Sequence, residues 1–367
     1  MVSTHWLVLS LVVTLSLLAC QESESPLVAD RLAVIDEAAQ QAADYKAPGK
    51  IEKFTYASGD VLTGDLDYLI YTPTTYNSRK LAPLVVVLHG CTTTADNMMA
   101  SSAMHPTAER EGFIVVYPDV PLSSRLFVNC WKFPDPNSQV RDSGDPALIA
   151  GVTRDVMQRM SIDPERVYLI GMSSGAVMTG IMGATYPDIF AAIAENAGCA
   201  YKALPCLGAG GALSQSDQLG QQAYQAMGQR ARVMPVLQLR GDQDTTVPPS
   251  NSPQVIEQWI ATNNYVLSGT ATAPFDTVSD EAYDGVKSDG YAYTVNRYRD
   301  SNGCLLIEDW MIHGMGHYFS GGSSDPSQSI FTDPKGPMMA EIAWRFLNRY
   351  RLSDFTSGYR PSVKACS

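Results

Sequence analysis

Val167-Tyr168-Leu169-Ile170-Gly171-Met172-Ser173-Ser174-Gly175-Ala176-Val177-Met178 decides how this chain is read. A short apolar, β-type run from Val167 to Ile170 leads into Gly-Met-Ser-Ser-Gly, and small and apolar residues of helical character follow. Strand, sharp turn and helix form the setting in which G-x-S-x-G carries a nucleophile. Such a turn holds the serine backbone in a strained conformation. The flanking glycines remove side chains that would collide with the neighbouring strand and helix. The hydroxyl then stands clear of the sheet at a helix N-terminus, where the N–H of Ser174 can meet an oxyanion. The same letters also occur as a plain glycine turn; the strand before and the helix after separate the two readings.

Outward from this stretch, apolar runs alternate with helical segments. Ile51 to Tyr56 and Asp65 to Tyr71 read as a strand pair around Ser58-Gly59-Asp60. Leu84 to Leu88 and Phe113 to Asp119 are continuous apolar runs, as expected of strands buried on both faces. Between them a helix is expected over Ala95 to Glu111, and after the second run another over Asp145 to Met160. Beyond the serine, strands are expected at Ala191–Glu195 and Val233–Leu239, and helices at Pro253–Thr262 and Pro337–Tyr350. The Gly/Ala/Ser/Gln-rich stretch from Leu207 to Gly228 reads as an insertion or loop. Tyr291–Arg299 and Cys304–Ile312 read as a hairpin across Asp300-Ser-Asn-Gly303. The sum is an α/β chain with a doubly wound, mostly parallel sheet, helices on both faces and hairpin additions.

Serine chemistry needs a base, a carboxylate that orients the base, and two N–H donors for the oxyanion. In an α/β-hydrolase the order along the chain is Ser, Asp or Glu, then His. Of five histidines, only His313 and His317 follow Ser173. Their spacing also fits a metal pair on a helix, but Gly314 and Gly316 oppose a helix and no acidic ligand is suitably placed. No metal or cofactor is implied. His317, in the glycine-rich loop beyond a strand, is preferred as base, with a structural role for His313. The acid is Asp242 or Asp244, both after a buried strand. Asp244 is preferred from the Gly241-x-x-Asp244-x-x-Val247-Pro248 spelling, with Asp242 as a loop cap. His89-Gly90-Cys91 supplies the second oxyanion donor, the N–H of Cys91, beside that of Ser174; His89 braces this loop. Trp131 is placed at the substrate pocket, with core packing as its alternative.

A net charge of −12 argues against nucleic acid or an anionic membrane surface as a partner. The uncharged stretch Trp6 to Ala19 suits a secretory signal, and Leu17-Leu18-Ala19-Cys20 resembles a bacterial lipobox, although Met1 to Trp6 lacks Lys and Arg. The expectation is an exported chain. Membrane attachment through a lipidated Cys20 is one reading, and an ordinary signal peptide cleaved nearby is the other. Residues 1–20 are then the signal, 21–50 a polar tether and 51–367 a single catalytic domain. With Cys20 lipidated, six of the seven cysteines remain, an even number suited to disulfides in an oxidising compartment. Cys199 and Cys206 read as a local staple. Cys91 with Cys130 and Cys304 with Cys366 are the pairings considered for the rest.

The chain resembles the esterase family that includes poly(3-hydroxybutyrate) depolymerases, related to feruloyl and acetylxylan esterases. The matching pieces are Leu88-His-Gly-Cys91-Thr, Cys130-Trp131, Gly171-Met-Ser-Ser-Gly175, Gly241-Asp-Gln-Asp244-Thr-Thr-Val247-Pro-Pro, Gly314-Met-Gly-His317-Tyr-Phe-Ser-Gly-Gly322 and Asp333-Pro-Lys-Gly-Pro337. The resemblance covers roughly Asp65 to Leu352. It implies an α/β-hydrolase fold, with Ser173 as nucleophile, Asp244 as acid and His317 as base. It further implies ester hydrolysis on hydroxyalkanoate polyester or its oligomers, or alternatively on feruloyl or acetyl esters of plant polysaccharide. No linker to a separate polymer-binding module is read, so soluble oligomers, amorphous polymer and small esters are expected substrates beside solid polymer.

Overall fold

The computed structural model describes residues 48–60, 64–120, 129–203, 206, 215–270, 275–325, 327, 331–355 and 366. The signal and most of the tether lie outside them. The strands are β1 (Lys50–Tyr56), β2 (Leu66–Thr72), β3 (Ala82–Leu88), β4 (Ile114–Pro118), β5 (Ile162–Met172), β6 (Ala192–Asn196), β7 (Val236–Gly241), β8 (Glu281–Val286), β9 (Ala292–Arg299) and β10 (Leu305–Ile312). They form one sheet in the order β1-β2-β4-β3-β5-β6-β7-β10-β9-β8. The middle, from β4 to β10, is parallel. Antiparallel strands extend it on both sides: β1 and β2 on one, β9 and β8 on the other. A short parallel pair, β11 (Phe319–Ser320) with β12 (Thr332–Asp333), lies outside this sheet.

The central strands are apolar along their whole length because helices cover both faces. Every residue of β3, β4, β6 and β7 is buried. The edge strands β1 and β8 have no buried residue and alternate toward solvent. The helices are α1 (Ala95–Ser101), α2 (Met104–Glu111), α3 (Gly144–Arg159), α4 (Ser174–Thr185), α5 (Ser216–Met227), α6 (Asn251–Ser268) and α7 (Met339–Leu347). Helix α4 packs on β3, β5 and β6; α5 packs along α6; α2 meets α7.

Two expectations need correction, and one strand lies beyond them. The helix expected over Ala95–Glu111 is two helices, broken at Ser102-Ala103, where Ala103 has a φ of 54°. The stretch read as loop from Leu207 to Gly228 contains α5, while residues 207–214 lie outside the described set. The edge strand β8 was not expected at all.

The topology brings the chemistry together. After β3 the chain turns to β4 on one side, then crosses to β5 on the other side of β3. This reversal opens a crevice at the strands' C-terminal ends, the usual ligand position in such sheets. Leu88 pairs with Gly171 in that register, so the loop after β3 starts beside Met172 and Ser173. At the neighbouring strands Met172 pairs with Asn196, and further along Gly241 pairs with Ile312.

Candidate active site

Ser173 sits between β5 and α4 with φ 55° and ψ −120°, a strained conformation for a residue with a side chain. Packing enforces it. A Cβ at Gly171 would lie 2.1 Å from the Gly175 carbonyl oxygen. One at Gly175 would lie 2.4 Å from that of Leu88. Both positions therefore exclude a side chain, and the turn closes tightly enough to lift Ser173. The residue is 9% exposed.

Its hydroxyl is at the end of a hydrogen-bonded chain. His317 Nε2 lies 2.8 Å from Ser173 Oγ, and His317 Nδ1 lies 2.6 Å from Asp244 Oδ2. A carboxylate only accepts, so Nδ1 carries the hydrogen and Nε2 offers its lone pair to the serine. The side chain of Asp244 is fully buried, and its Oδ1 accepts from the amides of Thr246 and Val247 at 2.8 and 2.9 Å. Those two bonds fix the carboxylate plane and satisfy its charge away from water. The arrangement can move a proton from Ser173 to His317 and hold the resulting imidazolium.

The loop after β3 closes the other side. A Cβ on Gly90 would stand 3.3 Å from Ser173 Cβ, which places His89-Gly90-Cys91 directly beside the hydroxyl. Neither the Cys91 nor the Ser174 N–H donates to another described residue. Ser174 begins α4, where unpaired amides and the helix dipole favour negative charge. The loop is heavily tied. Cys91 is bonded to Cys130, Thr92 N–H donates to the Asn129 carbonyl at 3.1 Å, and Asn129 Nδ2 donates to the Thr93 carbonyl. His89 is fully buried, with Nδ1 donating to the Gly90 carbonyl at 2.7 Å and Nε2 3.2 Å from Asp119 Oδ1. It braces the loop, as expected of it. The other two cysteine pairs, Cys199–Cys206 and Cys304–Cys366, are also bonded.

Trp131 departs from its expected place at the pocket wall. It is 1% exposed, and its indole N–H donates to the His89 carbonyl at 3.0 Å. It packs in the core behind the loop, the alternative weighed for it. Asp242 and His313 lie 3.1 Å apart, outside the Ser173–His317–Asp244 chain. His105 is half-buried and stacked on Tyr71, and the loss of water around its ring pushes its pKa down to about 3, so it is a neutral packing residue.

One organising residue was not foreseen. Asn196, at the end of β6, accepts from Ser173 N–H with its carbonyl at 2.9 Å. Its side-chain amide donates to the Tyr318 carbonyl at 2.8 Å and accepts from Ser320 N–H at 3.3 Å. It thus joins the serine turn to the loop that carries His317. The available signal was a buried-strand terminus ending in a polar residue, Glu195-Asn196-Ala197-Gly198, next to the serine strand.

Comparison with known proteins agrees with this fold. The chain is 34% identical over 250 residues to a poly(3-hydroxyalkanoate) depolymerase C of Paucimonas lemoignei, covering 64% of this chain and 55% of that protein. It is 31% identical over 223 residues to an acetylxylan esterase of Coprinopsis cinerea, covering 57% of this chain and 58% of that one. The chain thus spans little more than half the length of these relatives. A solved acetyl xylan esterase from Aspergillus awamori superposes with a TM-score of 0.63 at 21% identity, covering 82% of this chain and 99% of that one. At that identity the likeness is one of fold, and the fold is that of an α/β-hydrolase. The esterase PHB depolymerase family model matches residues 66–281, a segment that holds Ser173 and Asp244 and stops short of His317. Since that match takes in more than half of the 367 residues, the chain belongs to the esterase PHB depolymerase family.

Proposed function

We propose that the chain is a serine esterase in which Ser173 is the nucleophile, His317 the base and Asp244 the acid that orients it. The observation that carries this reading is the continuous hydrogen-bonded chain from Ser173 Oγ through His317 to Asp244, set on a strained strand-to-helix turn. As the Ser173 oxygen bonds to the ester carbonyl carbon, its proton passes to His317 Nε2. The carbonyl oxygen becomes an anion, held by the N–H groups of Cys91 and Ser174. Collapse breaks the ester bond, and the leaving alcohol takes the proton from His317. Water then bonds through its oxygen to the acyl carbon as its proton passes to the same nitrogen; the bond to Ser173 breaks, the acid leaves, and Ser173 Oγ takes the proton back from His317. No step calls for a cofactor.

The substrate we infer is a hydroxyalkanoate polyester or its oligomers, supported by the relative named as a poly(3-hydroxyalkanoate) depolymerase. A second reading keeps the chemistry and takes acetyl or feruloyl esters of plant polysaccharide, favoured by relatives named as acetylxylan and feruloyl esterases. Residues 51–367 are read as one catalytic domain behind a signal and a tether. Three disulfides support an oxidising, extracytoplasmic setting. Among the described residues no helix is long and apolar enough to cross a membrane; attachment would then rest on a lipidated Cys20.

The test is hydrolysis by the purified chain, with Ser173→Ala as control, on 3-hydroxybutyrate oligomers, amorphous polyhydroxybutyrate, methyl ferulate and acetylated xylan. Preference for oligomer or polymer is expected. Preference for ferulate or acetylxylan would move the substrate to the second reading, and turnover by Ser173→Ala would overturn both.

A further inference from the structure

A second Asp–His pair crosses the same two loops as Asp244 and His317. The loops leave the paired ends of β7 and β10, where Gly241 faces Ile312. Their backbones stay joined beyond the sheet: Asp242 N–H donates to the Ile312 carbonyl at 3.1 Å and Gln243 N–H to that of Met315 at 3.0 Å. The approach is so close that a Cβ on Gly241 would lie 2.0 Å from the Met315 carbonyl oxygen. Asp242 then grips the His317 loop near its start. Its Oδ2 is 3.1 Å from His313 Nδ1, and its Oδ1 accepts from Gly314 N–H at 2.7 Å. Gly314 has φ 93°, a left-handed conformation suited to glycine that turns this N–H toward the carboxylate. Burial works against the charge on Asp242. The bonds from Gly314, His313 and Gln243 nevertheless hold its pKa below the ordinary carboxylate value.

The far side of His313 is anchored as well. Its Nε2 lies 2.9 Å from Thr294 Oγ1 on β9, and that hydroxyl donates to Asp284 Oδ1 on β8 at 2.5 Å. The same hydroxyl therefore links His313 to the outer strand β8. His313 thus has one ring nitrogen against Asp242 and the other against Thr294, and is stretched between the Asp242 loop and the outer strands. Neither Asp242 nor His313 touches Ser173. Both are placed to set how far the His317 loop can slide along the Asp244 loop.

We propose that Asp242 and His313 are positioning residues for the reaction, fixing the offset between the acid loop and the base loop. This rests on the reading of Ser173, His317 and Asp244 given above. Loss of the pair lets His317 drift against Ser173 without disturbing the substrate's binding surface. A misplacement of about 1 Å at a reacting group costs on the order of 10²-fold in rate.

The experiment measures kcat and KM on p-nitrophenyl butyrate for Asp242→Asn, His313→Gln, the double variant and Thr294→Val, with Ser173→Ala in parallel. Each of the first two should lower kcat about 10-fold or more with KM within about twofold. The double variant should be no worse than the weaker single, because both cut one link. Thr294→Val should lower kcat by a smaller factor. The His313 side chain is 44% exposed, so His313→Gln carries the test if Asp242→Asn does not fold. A lower melting temperature with unchanged kcat, or losses that multiply in the double variant, would overturn the pair's positioning role. Turnover by Ser173→Ala would instead overturn the site reading on which it rests.

Discussion

Replacing Gly175 by alanine tests how the serine turn and the two proposed oxyanion donors are held together. Gly175 is the second residue of α4, and its backbone lies against the end of β3. An added Cβ would stand 2.4 Å from the Leu88 carbonyl oxygen and 2.6 Å from that of His89. An unstrained C···O contact is about 3.3 Å or longer. The start of α4 and the end of β3 must then part by roughly 1 Å, since both oxygens belong to backbone. Ser174 N–H rides on α4 and Cys91 N–H on the loop after His89, so that movement separates the two donors. Removing one such donor costs about 10²–10³ in turnover, and we expect kcat/KM on p-nitrophenyl butyrate to fall about 10²-fold. Alanine favours helix over glycine by about 1 kcal/mol, which offsets part of an overpacking cost of about 1–3 kcal/mol. The variant should therefore keep its far-UV circular dichroism while losing turnover. Wild-type kcat/KM together with a raised melting temperature would refute the reasoning, because the close approach would then not set the donor geometry.

Two further outcomes follow from the same structure. Glu195 is fully buried beside Gly180 and Gly198, and burial pushes its carboxyl up to about 8, opposed only by the Trp259 indole N–H at 3.3 Å. The folded chain therefore keeps a proton that the unfolded chain releases above about 4.5, so stability falls as pH climbs from there toward about 8. Glu195→Gln removes that slope. Its advantage in urea unfolding should grow between pH 5 and pH 8 to a few kcal/mol, and parallel pH curves for the two proteins would count against it. Joint replacement of Cys91 and Cys130 by serine opens a link spanning 39 residues. It should cost about 2–4 kcal/mol of stability and lower kcat more than it raises KM, because the Cys91 N–H loses its tether. Unchanged kcat would separate that bond from the oxyanion loop.

Much of the proposed site could be read from residue order, because each piece follows a buried strand. Apolar runs ending in His89-Gly90-Cys91, Gly171-Met-Ser173 and Gly241-Asp-Gln-Asp244 mark three C-terminal strand ends, and the structure gathers these with the His317 loop at one edge of the sheet. What could not be read depends on distant contacts. The break at Ser102-Ala103 had one sequence signal, Pro106, which fits the first turn of α2 and not the interior of one long helix. It coincides with Ser323 N–H donating to the Ser101 carbonyl and with Met338 packing on Ala103. Helix α5 looked like loop because it follows the Gly/Ala/Ser-rich run 207–214 and carries Gly220 in its interior. Gly220 is there because a Cβ would stand 2.5 Å from that of Ala261, so the residue that lowers helix propensity permits close packing on α6. Strand β8 escaped notice because a solvent-facing edge needs no apolar run. Trp131 was ambiguous for a related reason: a large aromatic next to a disulfide suits a pocket wall or a core, and only its contact with His89 decides.

The most direct test of the central claim is covalent labelling of the purified chain with a fluorophosphonate, followed by peptide mass spectrometry. The account predicts one adduct on Ser173, lost in Ser173→Ala and strongly slowed in His317→Ala, with esterase activity falling in step with labelling. An adduct on another residue, or full activity in a chain labelled at Ser173, would contradict it.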